Sequence, residues 1–570
     1  MEWIHRICPV TGLKVSKDAE TLLKWNAVTS IVHLLIGLIA AILLVLTRWQ
    51  AVHLLPADWF YRILTAHGLN MLIFFIIFFE MAVLYFAGPI LLNCRLPAPR
   101  VGWLGYWLML LGAVMVNGFV FAGKADVLFT SYTPLRAHPA YYLGIILFAV
   151  GALVQTGMFF AALVVSKREK TVKGTIPLVS FGALTAAIIA VITLVHGAII
   201  YIPTFLWSLD LMEMDHQAYR MVWWALGHSS QQINVAAHVA CWYLLAGLTV
   251  GGVVLNEKVS RIAYFLYILF ISMASAHHLL VDPGLSPAWK VWNTSYAMYL
   301  AVLASMVHGF TVPGGIEMGQ RLRGFNQGRF QWLTKAPWGD PGFSALWLSL
   351  VIFGFCGGIT GVVIGTEQIN IIAHNTLRIP GHFHMTVVGG TALCFMGVTY
   401  YLLPLIFRRR IAFYKLAQAQ PYMFGVGITM MGMFMTYAGS FGVPRRHWDI
   451  SFTKAYFPFE LPPVVDILMA GTALGGTLAF LGGISFVLIA VVSVFFGSPL
   501  SDEDLTSGSG AGLPSGVRRL PKQVHDDEAA RAAHETGTPG TVILVIIFFA
   551  CFVLYYFANW KILATLWKVG

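Results

Sequence analysis

The chain of 570 residues is 58% hydrophobic and only 11% charged, with a mean hydropathy of +0.75. So little charge cannot cover a water-exposed surface, which excludes a soluble globular protein. The net charge of +11 does not point to nucleic acid, because the basic residues fall in short loops between long apolar runs.

Taken in order, apolar stretches of about 20 residues or more predict an all-α polytopic membrane protein. The 13 predicted spans are 27–47, 62–93, 102–124, 139–166, 176–204, 221–255, 260–281, 291–314, 343–365, 376–407, 420–441, 465–497 and 541–563. Residues 1–26 read as a mixed polar and charged N-terminal segment without a secretory signal, and 27–497 as a twelve-helix core. Residues 498–540, rich in Ser, Gly, Pro and alternating charge, read as a solvated cytoplasmic linker, and 541–570 as an accessory last span. Basic loops at 94–100, 167–173, 257–261, 321–335 and 408–415 all follow even-numbered spans, whereas Asp210, Glu213 and Asp215 follow the fifth. The positive-inside rule then places the N-terminus in the cytoplasm of a bacterial or archaeal cell membrane.

Six cysteines are scattered without a CxxC or CxxCH spacing, which argues against disulfides, an iron–sulfur site or covalently attached haem. The histidines carry more information. His382 and His384, two positions apart, point about 200° apart on a helix, so they serve two separate centres rather than one. His67, His228, His277 and His278 join them at the outer ends of their predicted spans, so six histidines share one depth. Two axial histidines from opposite sides suit a low-spin haem, and His67 with one of the 382/384 pair supplies them. A second haem with one protein ligand keeps a position open for a gas. The all-imidazole set His228, His277 and His278 suits copper or zinc, and copper suits a site that must receive electrons.

These stretches resemble the catalytic subunit I of the haem–copper oxidase superfamily, from about residue 60 to 450. The resemblance rests on Thr65-Ala-His-Gly68, Trp223-Trp224-Ala-Leu-Gly-His228, His277-His278-Leu-Leu-Val-Asp-Pro-Gly284, His374-Asn375-Thr376, Pro380-Gly-His-Phe-His384 and Val443-Pro-Arg-Arg446. It implies a low-spin haem on His67 and His384, a high-spin haem on His382, and copper on His228, His277 and His278. It further implies haem propionates bound by Arg445 and Arg446, with Asn370 and His374 by the propionates of the high-spin haem. Within the superfamily the chain is most similar to the B-type branch. The resemblance also implies a subunit II with one or two spans, cytochrome c or quinol as electron donor, and a gaseous substrate reached through membrane lipid.

One position departs from the oxygen-reducing pattern. Those relatives carry Pro-x-Val-Tyr after the first copper ligand, whereas this chain reads His228-Ser229-Ser230-Gln231-Gln232. Splitting O₂ in one step takes four electrons, of which iron and copper supply three and the tyrosine the fourth. Joining two NO molecules takes two, and no redox side chain: 2 NO + 2 e⁻ + 2 H⁺ → N₂O + H₂O. Gln232 donates and accepts hydrogen bonds but is not oxidised, which makes NO reduction the leading expectation. The alternatives are a B-type oxidase reducing O₂ to water, its tyrosine supplied by another helix, and a proton-coupled transporter without haem.

Among intramembrane acids Glu80 is the clearest. It lies 13 residues past His67, about 20 Å deeper, too deep for a ligand, and reads as a proton-relay or a buried neutral acid. Tyr243 and His238 are further proton-path candidates, and Tyr243 coincides with a tyrosine of the B-type pathway. The adjoining Ala301–Ser305 stretch shows few polar partners for it. His196 and Glu367 are weaker candidates.

Overall fold

The computed structural model describes residues 3–271, 274–508, 511–517 and 537–566. A short hairpin opens the chain, β1 (Ile4–Ile7) antiparallel to β2 (Lys14–Ser16), and among the described residues the regular elements after it are helices. The long helices are α1 (Lys17–Arg48), α2 (Ala57–Ile90), α3 (Pro99–Phe121), α4 (Pro139–Glu169), α5 (Leu178–Ser208) and α6 (His216–Val250). After α7 (Glu257–Leu266) come α8 (Pro287–Leu322), α9 (Pro341–Gly365), α10 (Arg378–Leu405), α11 (Tyr414–Ser440), α12 (Val464–Phe496) and α13 (Pro539–Leu566).

Among the described residues, eleven helices are long and apolar enough to cross a membrane. Each of the 13 predicted spans overlaps one of α1–α13, but α7 and α11 fall outside that eleven. α11 carries Gln418, Gln420, Thr429, Thr436 and Ser440 along its length. α7 is short: it runs on only as a π-helical turn, Tyr267–Ile271. The predicted span 260–281 is therefore not one regular helix; residues 272–273 lie outside the described set, and Ala274–His278 forms a 3₁₀ turn.

Small residues set the helix spacing. A methyl carbon added at Gly475 in α12 would lie 2.5 Å from the Met431 amide nitrogen and 3.0 Å from the Gly427 carbonyl of α11. Backbone contact of this kind is how helices associate where lipid removes the hydrophobic drive. Wider π-helical turns interrupt three helices beside the histidines, at Asn70–Phe75, Ile352–Gly358 and His384–Ala392. Such turns shift the phase of the side chains that follow and occur mostly at functional sites.

The stretch expected to be a solvated linker is instead docked over much of its length. Asp502–Ser507 forms a capped helix, Arg408 pairs with Asp502, and Arg410 pairs with Asp504 at 2.7 Å. Leu513 and Val517 are buried, and Ser515 and Gly516 both donate to the Asp340 carboxylate, at 2.8 and 3.2 Å. Polar composition misled here because its charges meet opposite charges on the 408–410 loop. Residues 518–536 lie outside the described set.

Candidate active site

A cavity of about 710 Å³ runs through the centre of the bundle. His67, His228, Gln232, His277, His278, Asn370, His374, His382, His384, Arg445 and Arg446 all line it. They come from α2, α6, α10 and the segments between helices, so only the folded bundle brings them together.

The rings of His67 and His384 face each other at 6.3 Å between centroids, 10° from parallel. That is too far for ring stacking. It fits two metal–imidazole bonds of about 2.0–2.1 Å each plus two half-rings of about 1.1 Å. His67 Nδ1 lies 3.0 Å from the Gly37 carbonyl, and His384 Nδ1 lies 2.7 Å from that of Pro380. A carbonyl only accepts, so each Nδ1 carries the proton and each Nε2 keeps its lone pair for a metal. His382 repeats the arrangement, with Nδ1 2.9 Å from the Gly357 carbonyl and 3.1 Å from Thr360 Oγ1. α9 approaches this ring so closely that a methyl carbon at Gly361 would stand 2.7 Å from its Cε1. His382 and His384 thus contact different elements, as ligands of two separate centres must.

His228, His277 and His278 offer ring nitrogens that all lie within 4.8 Å of one another. His228 Nδ1 is 3.1 Å from His278 Nε2, and His278 stacks on Trp224 at 3.9 Å and 8°. His277 and His278 close the 3₁₀ turn Ala274–His278 with their ring centroids 4.1 Å apart. Gln232, one turn beyond His228, places its amide nitrogen 3.2 Å from His228 Nε2. If Nδ1 binds a metal, Nε2 carries the ring proton, and the amide turns its oxygen to accept it. Among the described residues no tyrosine lines the cavity.

Arg445 and Arg446 stand at one end of the cavity in the segment after α11. Burial, then the neighbouring Arg446, holds Arg445 down to about 9, and burial, then Arg445, holds His374 down to about 4. Arg445 Nε and His374 Nε2 have no protein partner. Buried donors without an acceptor call for an anion, and the propionates of a haem fit that need. Arg48, which the sequence reading did not single out, fixes the Arg445 backbone by donating to the Pro444 and Arg445 carbonyls at 2.6 and 3.2 Å.

The sequence model described as "Cytochrome C and Quinol oxidase polypeptide I" matches residues 21–478. The chain belongs to this subunit I family. It is 31% identical over 441 residues to cytochrome c oxidase subunit 1 of Thermus thermophilus, covering 76% of each chain. It is 22% identical over 447 residues to quinol oxidase subunit 1 of Bacillus spizizenii, covering 73% of this chain and 64% of that one. A solved haem–copper terminal oxidase dimer superimposes with a TM-score of 0.80 at 25% identity, over 94% of this chain and 92% of that chain. The family normally binds haem and copper, and the donor sets described above fit both.

Against the family's fold, the remaining predicted residues separate. Asn370 donates its amide to the carbonyls of His277 and Ile364, at 3.2 and 2.7 Å. It fixes the His277 backbone, while its buried Oδ1 has no protein partner. His238 meets Thr391 Oγ1 at 2.9 Å and packs between Trp242 and Phe353; no hydrogen bond links it to Tyr243. Glu80 is buried with one oxygen unpartnered; with the Asn234 amide turned to face it nitrogen first, the other oxygen accepts at 2.9 Å. His196 bonds the Ile192 carbonyl at 2.9 Å, and Glu367 pairs with Lys290 at 3.5 Å.

Tyr243 is far better connected than the sequence indicated. Its hydroxyl meets Thr311 Oγ1 at 2.6 Å, Ser260 Oγ at 3.0 Å and His308 Nδ1 at 3.0 Å. Tyr267 meets Ser305 Oγ at 3.0 Å, and Ser305 lines the cavity with Gln232. Thr311, His308 and Ser305 lie three residues apart along α8. That spacing puts them on one face, a signal that reading only as far as residue 305 missed.

Proposed function

We propose that this chain is the catalytic subunit of a membrane-bound respiratory reductase. In this reading His67 and His384 bind a low-spin haem, His382 a high-spin haem, and His228, His277 and His278 a copper. When bound, these groups bring electrons to a two-metal centre with an open position for a gas. The N-terminus lies in the cytoplasm of a bacterial or archaeal membrane, and electrons arrive from cytochrome c or quinol through a second subunit. The substrate we infer is nitric oxide, reduced to nitrous oxide: 2 NO + 2 e⁻ + 2 H⁺ → N₂O + H₂O.

The observation that carries this substrate is Gln232 against His228 in a cavity that no described tyrosine lines. The two-electron stoichiometry asks for no oxidisable side chain, and an amide provides none. Gln232 holds the His228 ring by its Nε2, leaving Nδ1 aimed toward His278. The two protons would pass from the group hydrogen-bonded around Tyr243 (Ser260, Thr311, His308) to the Tyr267–Ser305 pair, across the 5.5 Å between the His308 and Tyr267 ring centroids; all can both give and take a proton. Arg445, Arg446 and His374 would hold the haem propionates. Glu80 stands outside this route.

A second reading, O₂ reduction to water, is favoured by the relatives reported above, all of which carry oxidase names. Reduced, purified enzyme supplied with each gas separately decides between them. NO turnover with stoichiometric N₂O supports the first; fast, complete O₂ reduction to water with negligible N₂O overturns it. A preparation without haem absorbance would sink both, and would favour a proton-coupled transporter.

A further inference from the structure

Arg378 opens α10, four residues before His382 and six before His384, and only 1% of it is exposed. A guanidinium keeps its charge, and a charge within a membrane protein is costly enough to mark a function. Arg6, Arg220 and Arg321, buried or half-buried, each meet a carboxylate, that of Glu20, Asp282 and Glu317. Arg378 does not. Its Nη1 donates to Ser440 Oγ at 2.6 Å, its Nη2 donates to Asn559 Oδ1 at 2.7 Å, and its Nε has no partner. Both acceptors are neutral, so they aim the charge without cancelling it.

The two chain neighbours of Arg378, Leu377 and Ile379, line the cavity. Residues i and i+4 share a helix face, which puts Arg378 one turn from His382 on its own helix. A fixed positive charge in a low-dielectric interior favours the less positive, reduced state of any redox group beside it.

We propose that Arg378, held by Ser440 and by Asn559 of α13, raises the reduction potential of the haem bound at His382. This rests on the reading of His382 as a haem ligand. It gives the last helix a specific task, since Asn559 holds the charge in place. Arg378 acts through His382 and not on substrate, so it is a positioning and tuning residue.

The test is spectroelectrochemical titration of the intact enzyme and three variants. Arg378→Met removes the charge, and Arg378→Lys keeps it. Asn559→Asp keeps the acceptor but sets a carboxylate against the guanidinium. The expected result is a lower high-spin midpoint in Arg378→Met and Asn559→Asp, by about tenfold in the reduction equilibrium constant or 59 mV for one electron. Arg378→Lys stays near the wild type. Unchanged potentials in Arg378→Met and Asn559→Asp, with both haems bound, overturn the proposal; a wild-type enzyme without haem overturns the ligand reading instead. If Arg378→Met does not assemble, Asn559→Asp decides alone.

Discussion

At residue 232 an amide stands where oxygen-reducing relatives carry a phenol, and its contact with His228 Nε2 at 3.2 Å ties it to the His228, His277 and His278 cluster. Gln232→Leu keeps the volume but removes the amide's contact with that ring nitrogen, a loss of about 1–3 kcal/mol for a buried polar contact. N₂O formation should fall by about one to two orders of magnitude while the low-spin haem spectrum stays unchanged; an unchanged rate would show that the contact is idle. Gln232→Tyr should not by itself produce fast O₂ reduction, because a tyrosine–histidine cross-link also requires the correct approach. Stopped-flow O₂ consumption checks this. The residue types at this site were legible from sequence: paired histidines in apolar runs have few other uses. What they bond to was not. Nothing in the sequence signals that the Asn370 amide bonds the carbonyls of His277 and Ile364.

Helices were legible as apolar runs because lipid leaves a spanning segment no other way to satisfy its backbone. Their irregularities were not, since a π-helical turn or a 3₁₀ ending costs little and leaves no composition signature. Those irregularities place the ligands. α9 passes His382 with only Gly361 between them, where a methyl carbon would lie 2.7 Å from the ring. Gly361→Val should therefore displace His382 and deplete the high-spin haem signal while the His67–His384 centre remains; equal haem content in both sites would refute this. On α6 the Tyr243 hydroxyl joins α7 and α8 through Ser260, Thr311 and His308. Tyr243→Phe removes that junction and keeps the ring. If protons reach the site this way, turnover should fall at least tenfold with haem content intact, as measured by gas consumption against pyridine-haemochrome absorbance.

Across the whole molecule, the C-terminal helix was the part least well read from sequence. A polar linker followed by one more apolar run looks like an appendage, and little of α13 is buried. Yet Thr541, Leu544, Val545, Phe548 and Phe552 line the same cavity as the histidines. The helix is pinned near both ends. At its start, Glu317 of α8 is fully buried and accepts from the Gly540 and Thr541 amides at 3.1 and 2.7 Å and from Thr541 Oγ1 at 2.7 Å. The same carboxylate pairs with Arg321 at 2.7 Å, so it both caps the helix and neutralises a buried cation. Toward its end, Asn559 meets Arg378, and Tyr556 meets Thr366 at 3.2 Å. Sequence could not show this, because the polar partners lie 181 to 224 residues away along the chain. Glu317→Ala should cost about 3–5 kcal/mol, the penalty for stranding one member of a buried pair. Because it also frees one wall of the cavity, that cost should appear first as haem loss on mild heating and only later as unfolding. Glu317→Gln keeps an acceptor for the helix amides but loses the charge opposite Arg321, and should fall between. Thermal haem-release curves of the three proteins would rank them wild type, Gln, Ala; identical curves would mean that α13 does not seal the cavity.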